Sequence, residues 1–317
     1  DFEIVAGLEG NSKKLLIRQF KGELPGTLHA NITGEIHDMM DSVRRGGNVQ
    51  MKVSTGNINF MLAMLSKENR SRYRLPVGMS LVADASMENG AYKANCLFKE
   101  SRGTIRFNGN YKSLLNSYKA DLVIDSLQPN HFMPHDSLYW VNASLTAEGR
   151  GTDVFRASTF ANLQGTIKNV RYGSRSISGI QFDGSLKKCN LLLNLISDYP
   201  YARMNASLQA LLNRKKTTAS LTADVGMLDF NGLQFTEDTI MTSFHLTAKL
   251  ETDMKRNNHL DMVMGDWVID MPSGKFNPKD ITLHANTTRD TTRMVLQAGD
   301  LALTLTGNSD LETMMNR

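Results

Sequence analysis

Cysteine is scarce, with two in 317 residues, which is too few for a disulfide scaffold or a zinc-finger array. No apolar run approaches 18 residues, so no segment reads as a membrane-spanning helix. Aromatic residues are only 7%, with two tryptophans and no clustered carboxylates. A sugar-processing β-solenoid, which needs aromatic platforms and paired acids, is therefore disfavoured. The 36 basic and 32 acidic residues leave a net charge of +4, too mild to indicate nucleic acid. Only seven prolines occur, and none interrupts the middle of a clean alternating run, where it would remove a ladder hydrogen bond. The 41% hydrophobic and 21% charged content excludes a disordered tail.

Catalytic and metal motifs are equally thin. Ser185-Leu186-Lys187-Lys188 has the S-x-x-K spacing of some acyl enzymes. The segment alternates as a strand, however, which puts Ser185 and Lys188 on opposite faces. His131 and His135 have a zinc-helix spacing, but Pro134 lies between them and 129–134 reads as loop, so they are expected to be solvated loop histidines. Gly149 and Gly151 lack a following helix and read as a hairpin turn, not a phosphate loop. No enzymatic activity, cofactor or metal is expected.

What the chain has in abundance is period-2 alternation. Ala120, Leu122 and Ile124 alternate with Lys119, Asp121 and Asp125, and Ala143, Leu145 and Ala147 alternate with Ser144, Thr146 and Glu148. The pattern returns around Leu186, Leu193, Leu208, Leu221, Leu246, Leu283 and Leu303. Successive side chains of a strand point to opposite faces, so each segment predicts one apolar and one wet face. At about a dozen residues per strand and turn, roughly twenty or more strands are predicted. So many strands in one open twisted sheet curl or fold over. Turns are predicted at Asn108-Gly109-Asn110, Gly149–Asp153 and Tyr172-Gly173-Ser174. The alternation alone leaves two readings of the apolar face open, a packed core or a lined groove.

Helical signals are few. Ile36, Met39, Met40 and Val43 follow i, i+3, i+4, i+7 spacing, as do Ile58, Met61, Leu62 and Leu65 after a cap near Asn57. Ser309-Asp310-Leu311-Glu312 has capping-box form, ahead of Met314 and Met315. Cys96 and Cys189 share strand parity with apolar neighbours and read as small core residues. Basic clusters at Arg44-Arg45, Arg70/Arg72/Arg74 and Arg214-Lys215-Lys216 lack interleaved aromatics and read as solvated loops, with anionic headgroups or a partner as the alternative. The chain begins at Asp1 without a basic and apolar leader, and is expected to be a processed protein or a piece of a longer one.

A specific order of segments accompanies this pattern. Thr55-Gly56-Asn57-Ile58 precedes a Met/Leu helix, then come Leu75-Pro76-Val77-Gly78-Met79, a strand at 80–85, and paired strands at 92–100 and 103–110. The segments 132–138 and 142–153 follow, and then Tyr172-Gly173. This order resembles the middle segment of TamB-type proteins of the AsmA-like superfamily, in the form found in Bacteroidetes, over most of the chain. The resemblance implies an all-β fold: a long antiparallel sheet curled lengthwise into an open hydrophobic trough (a β-taco) with a few short helices. It implies one elongated repetitive domain over 1–317, with sub-units at 1–135, 136–308 and 309–317. It also implies a periplasmic bridge, anchored in the inner membrane by an N-terminal helix missing from this chain. Such a bridge conducts phospholipid between the membranes, supports outer-membrane protein assembly with a barrel partner, and touches the membrane only through parts missing here. The lipid groove would be lined by Leu122, Ile124, Leu145, Leu186, Leu193, Leu208, Leu221, Leu246, Leu283 and Leu303. The rival expectation is a closed-core β scaffold that binds a barrel-assembly partner through strand edges, without lipid transport.

Overall fold

The computed structural model describes residues 3–11, 13–38, 40–41 and 44–309. It has twenty strands, every paired neighbour antiparallel, in an open sheet with few helices. The chain divides into two compact units, Asp1–Arg150 with Gly165–Ile177, and Gly151–Gln164 with Ser178–Arg317.

The first unit carries β1 (Glu3–Gly10), β2 (Lys14–Leu24), β3 (Leu28–His37), β4 (Gly46–Thr55) and β5 (Ser80–Glu88). It continues with β6 (Ala91–Glu100), β7 (Gly103–Lys112), β8 (Ser117–Leu127) and β9 (Leu138–Arg150). Each of these pairs with the next, from β1–β2 to β8–β9. Local turns suffice for such a meander, and the chain supplies them with left-handed residues at Asn89, Gly90, Ser101 and Asn116. Between β4 and β5 lie a 3-10 helix, Asn59–Met64, and a short α-helix α1, Lys67–Arg72. β10 (Phe160–Tyr172) spans the division of the chain between the units.

The second unit takes β11 (Arg175–Lys187) from Ser178 onward and carries β12 (Asn190–Tyr199), β13 (Ala202–Leu211), β14 (Thr217–Asp229), β15 (Met241–Thr252) and β16 (Asn258–Met271). The short β17 (Gly274–Phe276) hangs on the end of β16, and β18 (Ile281–Thr287), β19 (Thr292–Ala298) and β20 (Leu301–Gly307) complete the order. Here too chain neighbours are sheet neighbours, with β16 also pairing β18. Register shifts interrupt β13–β14, β14–β15 and β15–β16. Such bulges bend a strand and raise its local twist.

Very little of the sheet is covered. Among the described residues only Ile58, Met79, Leu186, Tyr199, Ala223 and Val225 are buried hydrophobes. The accessible surface is 20391 Å². Two separate compact globules of half the mass would together expose only roughly 16,000 Å². Exposed strand hydrophobes such as Ile4, Leu193 and Leu303 contribute to that surface.

Several sequence expectations change here. Ile36 does not start a helix; it pairs with Leu15 and Gly47 at the end of β3. Alternation through Leu28, Ala30, Ile32 and Gly34 continues to Ile36 and overrides the helical spacing, while Met39 and Val43 lie outside the described residues. The helix expected from Ile58 is a 3-10 helix, whose Phe60 and Met64 stay exposed. Asn108-Gly109-Asn110 is no turn but the middle of β7, paired with β6 and β8. Cys189 is not in a strand; with Lys188 it forms the two-residue turn between β11 and β12, both at positive φ (62° and 49°). Gly149 lies within β9, and nine residues separate β9 from β10, so this is a loop and not a tight hairpin. The terminal capping box lies outside the described residues apart from Ser309.

Candidate functional site

Directly paired residues of neighbouring strands point to the same face, so register converts the alternation into continuous rows. In the second unit Leu193 pairs with Leu208, Leu208 with Leu221, Leu221 with Ala248 and Ala248 with Met262. Met262 then pairs with Leu283, Leu283 with Leu296 and Leu296 with Leu303. Gly184 of β11 heads this row, opposite Leu193. A parallel row runs from Phe182 through Leu195, Ala223 and Leu246 to Ile281 and Leu301, and a third from Leu186 through Leu191, Leu250 and Leu260 to Leu305. Eight steps between strands make each row about 38 Å long at the usual spacing of about 4.8 Å.

A buried hydroxyl row bounds this face at the hairpin end. Thr217 pairs with Thr252, Thr252 with Asn258, Asn258 with Thr287 and Thr287 with Thr292. Thr252 Oγ1 donates to Asn258 Oδ1 at 2.6 Å, and the hydroxyls of Thr287 and Thr292 lie 3.0 Å apart. Each buried hydroxyl of that pair thus finds a partner inside the row.

The first unit builds an equivalent face. One row starts at Ala6 and Phe20 and passes Met51, Cys96 and Phe107 to the directly opposed Leu122 and Leu145. Ile124 stands in the adjacent row, between Ile105 and Ala143. Thus Leu122, Ile124 and Leu145 are brought together in the first unit, and Leu186, Leu193, Leu208, Leu221, Leu246, Leu283 and Leu303 on one face of the second. Leu186 is buried; Leu193 (37% exposed) and Leu303 (53% exposed) are open to solvent, and the remainder are half-buried. Ile4, Leu8, Phe20, Leu301 and Leu305 are also exposed on the apolar side. The first three belong to the first unit and the last two to the second.

The opposite faces are wet. Thr146, Lys187 and Lys249 are exposed there. Cross-strand pairs lace the surface: Lys14–Glu35 at 2.7 Å, Asn194–Asp183 at 2.9 Å, His245–Asp224 at 2.5 Å and His284–Asp261 at 2.7 Å. The hydrogen bond from His284, with His259 adding charge, holds the Asp261 carboxyl below the ordinary aspartate range. Lys14 does the same for Glu35. Val82, Val123, Ile196 and Val263 are exposed on this side; the last three stand singly between polar neighbours, and Val82 lies between Lys52 and Leu97.

Strand ends differ in the first unit. At one end the loops fold back: Ile58 and Met79 are buried, and the ring of Phe132 lies 6.2 Å from that of Phe98. Glu100 is 2% exposed there and His131 Nδ1 lies 2.6 Å from its Oε1. His131 is therefore not the solvated loop residue expected from the sequence. At the other end stands a tyrosine row, Tyr92–Tyr111–Tyr118, with Arg45 Nη2 donating to Tyr92 Oη at 3.2 Å. Sequence reading missed both this row and Glu100; the parity that groups Ala94, Cys96 and Phe98 extends to Tyr92 and Glu100 and would have found them. The other two basic clusters are solvent-exposed, and single members make surface contacts, Arg70 with the carbonyls of Leu62 and Ala63, and Arg214 with Asp153 at 2.8 Å.

Among the described residues no group of three or more His, Cys, Asp or Glu is placed to hold a metal ion, and no helix is long and apolar enough to cross a membrane. Cys96 and Cys189 are free thiols. No family model, curated protein or solved structure matches the chain.

Proposed function

We propose that this chain is a non-enzymatic segment that carries phospholipid acyl chains along its apolar sheet faces. The observation that carries the reading is the set of unbroken apolar rows, each crossing nine strands with most of its residues only half-buried. Each acyl CH₂ withdrawn from water gains about 0.8 kcal/mol. A row of uniform apolar character keeps that gain nearly constant from strand to strand, so a tail can shift along it without meeting water. No side chain has to do chemistry.

In this reading each unit by itself offers an open apolar trough of the kind that the TamB-type resemblance implies. The setting would be the periplasm, with an inner-membrane anchor outside this chain and an outer-membrane barrel protein of the assembly machinery as partner. The closed-core scaffold fares worse, because a closed core needs many buried large side chains and only a few are present among the described residues. One feature keeps an assembly role in play beside lipid carriage. β20 is paired only with β19 among the described residues and offers an exposed strand edge.

Mass spectrometry of lipid extracted from the purified chain tests the proposal. Phospholipid in stoichiometric amounts is expected. A chain that purifies folded and lipid-free, and takes up none from vesicles, would overturn it.

A further inference from the structure

The apolar face of the first unit is not uniform. One stretch of a row, beyond Val49 of β4, consists only of the smallest residues: Ala85, Ala94, Gly109, Ala120 and Ala147 pair in succession from β5 to β9. Larger rows flank this lane on both sides, with Cys96, Phe107 and Leu122 on one and Tyr92, Tyr111 and Tyr118 on the other. Residues two positions to either side on a strand stand about 13 Å apart, so the lane is a groove floored by backbone and methyl groups. It forms part of a depression of about 550 Å³, in the size range of small-molecule sites. The Phe107 ring leans in over Gly109, where a Cβ would meet it at 2.7 Å. A side chain at that position would push the ring away, so glycine lets the wall close on the lane.

The tyrosine wall gives the groove a polar rim. The rings of Tyr92 and Tyr111 lie 6.0 Å apart, and Tyr111 Oη donates to Asn116 Oδ1. Tyrosine presents an apolar body and a polar tip, which suits the junction of a greasy lane with water. Arg45 stands at this rim. Its Nη2 donates to the Tyr92 hydroxyl oxygen, whereas its Nε is buried and has no hydrogen-bond partner among the described residues. The neighbouring Arg44 takes the Asp41 carboxylate, at 2.8 Å. A part-buried guanidinium that spends a hydrogen bond on a tyrosine hydroxyl is set to gain from a ligand oxygen at its open side, above all from a phosphate.

We propose that this lane is a docking station for one anionic phospholipid, with an acyl chain on the Ala/Gly floor and the headgroup phosphate at Arg45 beside Tyr92. The proposal rests on the lipid-carrying reading above and adds to it a fixed position and a headgroup preference. The small-residue floor admits the tail, the tyrosine hydroxyls mark the interface, and the charge of Arg45 selects an anion.

Binding of fluorescent-tailed phosphatidylglycerol and phosphatidylcholine, with identical acyl chains and as monomers, tests this on the full chain. The unaltered protein is expected to bind phosphatidylglycerol at least about tenfold more tightly, the scale of one charged hydrogen bond. Arg45→Met should bring the two within about twofold, with circular dichroism unchanged. Ala94→Phe with Ala120→Phe should weaken both by about tenfold or more; if that pair unfolds the chain, the single exposed-position change Ala85→Leu takes its place. Equal binding of the two lipids by the unaltered protein would overturn the station, as would tight binding unchanged by a filled lane. In either case lipid bound elsewhere, and lost on Leu221→Asp, would leave the carrier reading standing. No binding of either lipid to any variant would sink both.

Discussion

Leu208 stands directly opposite Leu221 across β13 and β14, and the next pair along, Gln209 with Ser220, faces the other way. One residue therefore separates a greasy row from a wet one. A substitution on an open face need not cost what it would in a closed core. Leu303→Asp, at a half-exposed position, should change stability by no more than about 0.5 kcal/mol. Leu186→Asp, at a buried one, should cost about 3 kcal/mol or more. Urea titration of the two variants checks the contrast.

Leu221→Asp should separate folding from function. It places a carboxylate in the middle of a row, where an acyl chain would otherwise stay dry. Lipid transfer between donor and acceptor vesicles should fall several-fold while the circular dichroism spectrum keeps its strand signature. Transfer at the normal rate by folded protein would count against the rows as a path.

Glu100 depends on His131. Its Oε1 takes the imidazole, its Oε2 has no partner among the described residues, and the side chain is covered. His131→Ala leaves a buried carboxylate without its partner and should destabilise the chain by about 3 kcal/mol. Glu100→Gln in the same background should recover a good part of this, because a neutral amide is cheaper to bury. Thermal melts of the single and double variants provide the test.

The Lys188-Cys189 turn is strained in a repairable way. Both residues take left-handed backbone angles, which cost a side-chain-bearing residue about 1 kcal/mol each. Lys188→Asn with Cys189→Gly installs the preferred pair for this hairpin and should raise stability by about 1 kcal/mol, read as a higher melting temperature.

Asp261 sets a direction for acid sensitivity. Its carboxyl is held below the ordinary range by the hydrogen bond from His284, so its contribution is present at neutral pH. It is lost as pH falls through the depressed folded value, because protonation then breaks the pair. Asp261→Asn should flatten the pH dependence of stability in that acid window. The pair is on the surface, so the change should be small.

These residues show where the sequence was legible. Strand identity and the facing of Leu122, Leu145 or Leu246 follow from alternation, because period 2 has one structural meaning when it persists. Which residues stand opposite one another is a matter of register, set by turns such as Lys188-Cys189 that carry no Gly or Asn signal. Asn108-Gly109-Asn110 misled because its composition suits a turn, whereas Gly109 serves the Phe107 ring within a strand. The Ala/Gly lane was invisible for a related reason, since it exists only once five strands are aligned. Glu100 and His131 are 31 residues apart, and only the fold brings them together.

The most direct test of lipid carriage places a photo-crosslinking residue in cells at Leu145, Leu193 or Leu246, and in parallel at the chain neighbours Thr146, Asn194 and Thr247. Neighbours on a strand point to opposite faces. The first set should capture phospholipid and the second should not. Capture at both sets alike, or at neither, would contradict the account.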